Sequence, residues 1–535
     1  MKLFLVSIVA CSLLLVAGCK KPDAVSNTVP PTVPPVVETP PANTFNGPLN
    51  PDDYSSISSY ENRGSWNLAN VHDPTVEKSG DYYYMYGTDA SYGNVLDGHG
   101  HFPYRRSKDL VKWDFMGTAF ATVPAWVKDS MNNKRARMIP ALPPINNPDY
   151  GYWAPYVKKV GNKYRMYYSI VLTNPIIGID NTSSWTERAF IGLAESDDLA
   201  TNVWVDKGMV VCSEPDGVTS YYRKGGSDWN AYYKFNAIDP TFNITPTGEH
   251  WLIYGSWHTG IAALQLNPAT GKPDKLETIN DYGVRIAGRG NISNNRWQAL
   301  EGPEIIYNDA TGYYYLFVAY DELSVAYNTR VMRSKSITGP YLGIDGANVS
   351  LGSECWPMVT HPYAFSGNAG WVGISHCSVF QNPDTKQWFY ASQARFPKDV
   401  PGINVSNALM MGNVRAINWT NEGWPVVQPE RYAAVPKTTI TEQSLVGKWE
   451  QITLNYQYGT IQNSMKLVLT ADKKITGNIT GGWVFDAVNG TININGTICT
   501  LADAWDWEAI PRNVTLTYSG LTSAGVSIWG KKVFN

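Results

Sequence analysis

His72-Asp73-Pro74-Thr75-Val76 opens a phrase that the chain repeats four more times. The other copies read Trp153-Ala154-Pro155-Tyr156-Val157, Ile238-Asp239-Pro240-Thr241-Phe242, Leu300-Glu301-Gly302-Pro303-Glu304-Ile305 and Ser375-His376-Cys377-Ser378-Val379. A turn and an aromatic strand follow each copy: YYYMYG after Ser79-Gly80-Asp81, KYRMYYS after Gly161-Asn162, HWLIYGS after Gly248-Glu249, YYYLFVAY after Thr311-Gly312, and KQWFYASQ after Asp384-Thr385. The copies start about 60 to 85 residues apart, a period that radially repeated β-sheets produce. No unit of this size can bury its own apolar face, so neighbours must stack, and equivalent strand starts end up around one axis. Acids at those starts, though far apart in sequence, are then expected to converge.

Composition agrees with a β-rich chain. Of its 535 residues 43% are hydrophobic and only 17% charged, with 33 Tyr, 20 Trp and 46 Gly. Aromatic side chains suit pleated, half-buried surfaces, and Gly suits the turns between them. A formal charge of −3 and the lack of any Lys/Arg run leave no electrostatic footprint for nucleic acid. The expected class is all-β: a five-bladed β-propeller followed by a small C-terminal β-barrel or sandwich.

Four segments are expected. Residues 1–19 read as a lipoprotein signal: Lys2 precedes a short apolar run from Leu3 to Val16, and Val16-Ala17-Gly18-Cys19 resembles a bacterial lipobox with Cys19 as the lipidated residue. Residues 20–53 form a Pro- and Thr-rich tether whose composition stays extended. The chain is thus expected to be a monomeric outer-membrane lipoprotein, touching the membrane through its anchor only. Residues 54–432 form the propeller, with no helix-period segment of convincing length and with the long stretch 91–148 looping over one face. Residues 440–535, where KLVLT, ITGNIT, GTININGTI, VTLTYSG and VSIWGKKV succeed one another at hairpin spacing, form the barrel. Cys212, Cys355, Cys377 and Cys499 show no metal-ligand spacing and read as buried thiols.

The chemistry lies in Asp73, Asp239 and Glu301. Two carboxylates on opposite sides of a glycosidic bond can hydrolyse it, one protonating the leaving oxygen and one activating water. A third raises the pKa of the acid, since like charges resist simultaneous ionisation. One Asp before Pro would be an ordinary turn residue; three acids in one five-fold repeat are not. Aligned on the prolines, Gly302 and not Glu301 shares the column of Asp73 and Asp239. Glu301 is therefore expected to enter the site from a different direction.

The ordered set HDPTV, WAPYV, AIDPTF, GSWHTGI, LEGPEI and SHCSVF resembles the five-bladed propellers of glycoside hydrolase family 43, and within it the endo-α-1,5-L-arabinanases. Further matching stretches are Arg106-Ser107-Lys108-Asp109-Leu110 and Gly423-Trp424-Pro425-Val426-Val427. The resemblance spans residues of about 60 to 430. It implies that Asp73 is the general base, Glu301 the general acid and Asp239 the residue that tunes and orients Glu301, with inversion at the anomeric carbon and arabinan or arabino-oligosaccharides as substrate. It also implies that His376 holds one calcium ion, mostly water-coordinated, in the central channel. Calcium ordinarily prefers oxygen ligands, so one imidazole with waters is an unusual shell. By the same resemblance Trp153 stacks on an arabinofuranose ring, while Asn236, Ser256, Trp257 and His258 line the central sugar subsite. The family commonly has Asp at the position of Tyr156. Exo-arabinanase, α-L-arabinofuranosidase and β-xylosidase activities occur on the same fold, and the alternative of another class is a non-catalytic, membrane-tethered glycan-binding protein.

Overall fold

The five aromatic runs become the second strands of five four-stranded antiparallel sheets in the computed structural model, which describes residues 45–89, 99–137, 141–172, 188–214, 234–290, 299–324, 326–398, 400–403, 407 and 409–534. The expected signal, Cys19 and nearly all of the tether lie outside these residues. Blade 1 comprises Thr75–Ser79, Tyr82–Tyr86, His101–Ser107 and Asp114–Phe120; blade 2 comprises Tyr150–Val160, Lys163–Leu172, Ala189–Ser196 and Val205–Cys212. Blade 3 comprises Thr241–Ile244, His250–Tyr254, Ile261–Leu266 and Val284–Ala287. Blade 4 follows with Leu300–Asn308, Tyr313–Tyr320, Asn328–Ser334 and Met358–Thr360, and blade 5 with Ser378–Gln381, Trp388–Ala394, Met411–Trp419 and Pro425–Val427. The first strands touch in a closed circle, blade 1 meeting both blade 2 and blade 5.

The strand period of two explains why these runs are apolar throughout. Successive side chains point to opposite faces of a sheet, and here both faces are covered. Tyr84 and Tyr86 pack toward blade 2, beside Tyr164, Met166 and Ile170. Tyr83 and Met85, between them in sequence, pack toward blade 5 beside Phe389, Ala391 and Val414. The same alternation sends Leu316, Val318 and Tyr320 toward blade 3 and Tyr315 and Phe317 toward blade 5. Chain ahead of blade 1 closes the ring, with Ala69 bridging Met411 and Val71 N donating to Met410 O at 3.2 Å.

The stretch 91–148 is not all loop. His101–Ser107 and Asp114–Phe120 complete blade 1, and an α-helix spans Trp126–Ala136. That helix has Val127, Met131 and Arg135 buried at a spacing of one turn, an apolar stripe too narrow to stand out among its polar residues. The C-terminal chain closes an eight-stranded barrel in which Gly447–Thr453 pairs with Ser527–Val533. Propeller and barrel fall in one compact unit. Ile452, Leu454 and Trp529 of the barrel join the core between blades 4 and 5, and Gln462–Asn463 runs parallel to Tyr363–Ala364. Cys212, Cys355, Cys377 and Cys499 are buried and free, as expected.

Candidate active site

Each copy of the repeated phrase turns at one residue with a left-handed backbone. These are Asp73 (φ 42°), Ala154 (φ 41°), Asp239 (φ 54°), Gly302 (φ 55°) and His376 (φ 49°). A non-glycine residue there is uncommon and costs on the order of 1 kcal/mol. Four of the five tolerate it, and two present a carboxylate and one an imidazole. Gly302 is glycine for a local reason: a Cβ at this position would lie 2.7 Å from His376 Cγ. The ring takes the space that a fifth side chain would need. Glu301 therefore sits one residue earlier, where the register of blade 4 shifts between Glu301 and Glu304. Trp153 holds the matching place in blade 2, beside the same kind of shift.

The three acids meet around His376. Its Nδ1 lies 3.0 Å from Asp73 Oδ1, and the charges of Asp73, Asp239 and Glu301 together raise the imidazole against its burial, to about 10. Asp73 is fixed from several sides: Thr88 Oγ1 donates to its Oδ2 at 2.5 Å, and its backbone N donates to Gln393 Oε1 at 2.6 Å. Burial works against ionisation of Asp73, but His376, His72 and the Thr88 hydroxyl overcome it and hold the carboxyl well below the usual range. Asp239 Oδ2 accepts from Gly302 N at 3.1 Å. Burial pushes its carboxyl up to about 7; His376 opposes that shift, while Glu301 and Asp73 add to it. Glu301 accepts three hydrogen bonds, from Tyr327 OH at 2.7 Å, Trp257 Nε1 at 2.9 Å and Ser256 Oγ at 3.0 Å.

The expected substrate residues lie near this centre in different ways. Ser256 and Trp257 touch Glu301 directly, and His258 is buried in the same turn, where Trp257 and His258 both have left-handed backbones. Asn236 is one step removed: its Oδ1 accepts from Ser213 Oγ at 3.0 Å at the end of blade 2. Trp153 is partly buried against Val171, Ala189 and Ile238. Sequence reasoning missed Tyr327, Thr88 and Gln393. Thr88 had a signal, because Gly87-Thr88 repeats Gly255-Ser256 at the end of a second strand. Tyr327 had none, since its link to Glu301 depends on how the chain returns after Tyr320.

As for calcium, three clustered metal-ligand side chains occur among the described residues only at Glu430, Asp506 and Glu508, away from this centre. Among the described residues no such group of three includes His376, so water would have to complete a shell there. With Nδ1 committed to Asp73, Nε2 is the atom to ligate. The same field holds a proton on the imidazole, so a metal cation at Nε2 would have to displace that proton.

The pattern of glycosyl hydrolases family 43 matches residues 68–425. The chain belongs to that family. A C-terminal lipocalin-like domain matches residues 429–530. Over 495 residues the chain is 27% identical to an extracellular endo-alpha-(1->5)-L-arabinanase of Thermotoga petrophila, covering 86% of this chain and 93% of that one. It is 24% identical over 501 residues to extracellular endo-alpha-(1->5)-L-arabinanase 2 of Bacillus subtilis, covering 89% and 95%. The crystal structure of an endo-1,5-alpha-L-arabinanase from Thermotoga petrophila superposes with a TM-score of 0.67 at 26% identity, covering 88% of this chain and 99% of that one. The protein is a glycosidase.

Proposed function

We infer that the protein hydrolyses α-1,5-L-arabinofuranosidic bonds within arabinan by single-displacement inversion. The observation that carries this reading is the convergence of Asp73, Asp239 and Glu301 on His376, in a family 43 chain whose relatives over nearly its whole length are named endo-arabinanases. Asp73, held ionised, takes a proton from the water that attacks the anomeric carbon. Glu301 protonates the departing oxygen, so the C–O bond breaks without releasing an alkoxide. Trp257 N–H can only donate to Glu301, but the hydroxyls of Tyr327 and Ser256 can reverse and accept, which leaves room for a proton on Glu301. Burial pushes the carboxyl of Asp239 up to about 7, so below that pH Asp239 adds little negative charge beside Glu301.

Trp153 would stack on an arabinofuranose ring, and Ser256, Trp257, His258 and Asn236 would line the subsite beside Glu301. His376 would hold calcium, which when bound supplies positive charge and polarised waters beside the carboxylates. Cys19 would anchor a monomeric enzyme at the bacterial outer membrane; Cys19→Ser should move it from membrane to soluble fractions with hydrolysis intact. The endo reading is tested by products from linear arabinan. Oligosaccharides of mixed length are expected from the first minutes. Release of arabinose alone would contradict it and favour an exo-acting enzyme.

A further inference from the structure

The barrel domain reaches into the propeller at Asp321, the residue that follows the second strand of blade 4. After Gly447–Thr453 the chain leaves the barrel wall, and Tyr456 enters the propeller before Gln462–Asn463 pairs with Tyr363–Ala364. Its hydroxyl donates to Asp321 Oδ1 at 3.2 Å and accepts from Arg289 Nη2 at 3.5 Å. Its ring lies 4.6 Å from the guanidinium of Arg330, which also covers Tyr320 at 4.2 Å and Trp356 at 4.6 Å. Two residues on, Tyr458 OH donates to Glu322 Oε1.

Asp321 is where this contact becomes a matter of catalysis. It is 2% exposed and sits at φ 66°, a strained backbone that its surroundings must hold. Arg289 Nη1 donates to its Oδ1 at 2.5 Å, and Asn328 Nδ2 to its Oδ2 at 2.7 Å. The backbone N of Asp321 donates to Ala299 O at 3.1 Å, and Arg289 Nη1 reaches the same oxygen at 3.2 Å. Ala299 lies two residues ahead of Glu301, and Tyr327, six residues after Asp321, donates to Glu301 itself. Asp321 thus holds the strand start that carries Glu301 through its backbone N–H and through Arg289, and its buried carboxylate holds Asn328, next to Tyr327. The barrel supplies one of the hydrogen bonds that fix that carboxylate.

We propose that Tyr456 is a positioning residue for Glu301, acting through Asp321 and Arg289. The proposal rests on Glu301 being the general acid. Loosening the Asp321 anchor then disturbs proton delivery and nothing else. A leaving group that departs without a proton is insensitive to it.

Tyr456→Phe removes the hydroxyl and keeps the ring over Arg330. Its kinetics should be measured on linear arabinan and on an aryl α-1,5-arabinotrioside with a nitrophenolate leaving group. The kcat on arabinan should fall about three- to tenfold, the effect of one hydrogen bond, with KM unchanged and with the aryl substrate turned over within about twofold of wild type. Tyr458→Phe, an exposed site that folding tolerates, should show the same pattern more weakly. Equal losses on both substrates, or no loss on arabinan, would overturn the proposal. Glu301→Ala in the same assays separates the two levels of inference. A far larger loss on arabinan than on the aryl substrate upholds the acid role on its own. Equal loss would overturn that role, and the positioning role with it.

Discussion

Asp73, Asp239 and Glu301 surround His376 on the propeller axis; Glu430, Asp506 and Glu508 surround Lys531 where propeller meets barrel. Both are three acids around one nitrogen base. At the interface, Lys531 Nζ lies 2.9 Å from Glu430, 2.9 Å from Asp506 and 2.5 Å from Glu508. The ammonium donates to Asp506 Oδ1 and Glu508 Oε2, and Glu430 stands beside it as an ion-pair partner, so a buried cation lies at the centre of the group. Its lysine side chain is 4% exposed. On the axis, His376 bonds one carboxylate, Asp73, and those side chains keep 13% and 16% of their surface open. Glu301 is held by hydroxyls and an indole that can yield to substrate. The lesson is that an acidic cluster is reactive when its geometry leaves oxygens open to water and sugar, and structural when it closes around a buried cation.

The comparison breaks if the two clusters respond alike to mutation. Asp73→Ala should lower kcat/KM on arabinan by about 10³- to 10⁴-fold, the scale of a lost general base, with the melting temperature little changed. Lys531→Met should do the reverse. Three buried acids without their cation should cost about 3–5 kcal/mol of stability in denaturant unfolding, while the rate per folded molecule stays at the wild-type value. A stable Lys531→Met protein with poor turnover would mean that the interface cluster serves the chemistry.

Smaller effects sharpen the contrast. His376→Ala should reduce turnover about 10- to 100-fold, and a chelator should bring wild type to a similar rate while leaving the variant unaffected. Full activity in chelated wild type would remove the ion from the account. Glu430 tests the interface. Burial, only partly offset by Lys531, pushes its carboxyl from 4.5 up to about 8. Between about pH 5 and 8 the folded protein therefore keeps a proton that the unfolded chain has given up. Stability attributable to Glu430 falls as pH rises through that window and levels off above it. Glu430→Gln should flatten the pH dependence of unfolding across the window, and an unchanged slope would show that Glu430 does not retain a proton there.

The fold was legible because its repeat is written in strands that need both faces covered. YYYMYG and its counterparts have no polar side to hide. The acids were legible for the same reason, each standing at the start of a copy, and the displacement of Glu301 from the column showed in the alignment on proline. Its cause did not: only packing reveals that the His376 ring excludes a side chain at Gly302. The Trp126–Ala136 helix was missed because its apolar stripe is two residues and an arginine. Tyr327 and Tyr456 were out of reach, since no local pattern links a tyrosine between two strands of blade 4, or one in the C-terminal domain, to Glu301. Burial also raises the carboxyl of Asp239, a shift that depends on packing and that no sequence pattern showed.

The central claim is that Asp73 activates a water to attack directly at the anomeric carbon while Glu301 protonates the departing oxygen. Proton NMR of the first products from an α-linked arabino-oligosaccharide, read before the anomers equilibrate, tests it most directly. The account predicts that the new reducing end appears first as the β-anomer. Initial appearance of the α-anomer would contradict it, because retention requires a covalent intermediate on one of these carboxylates.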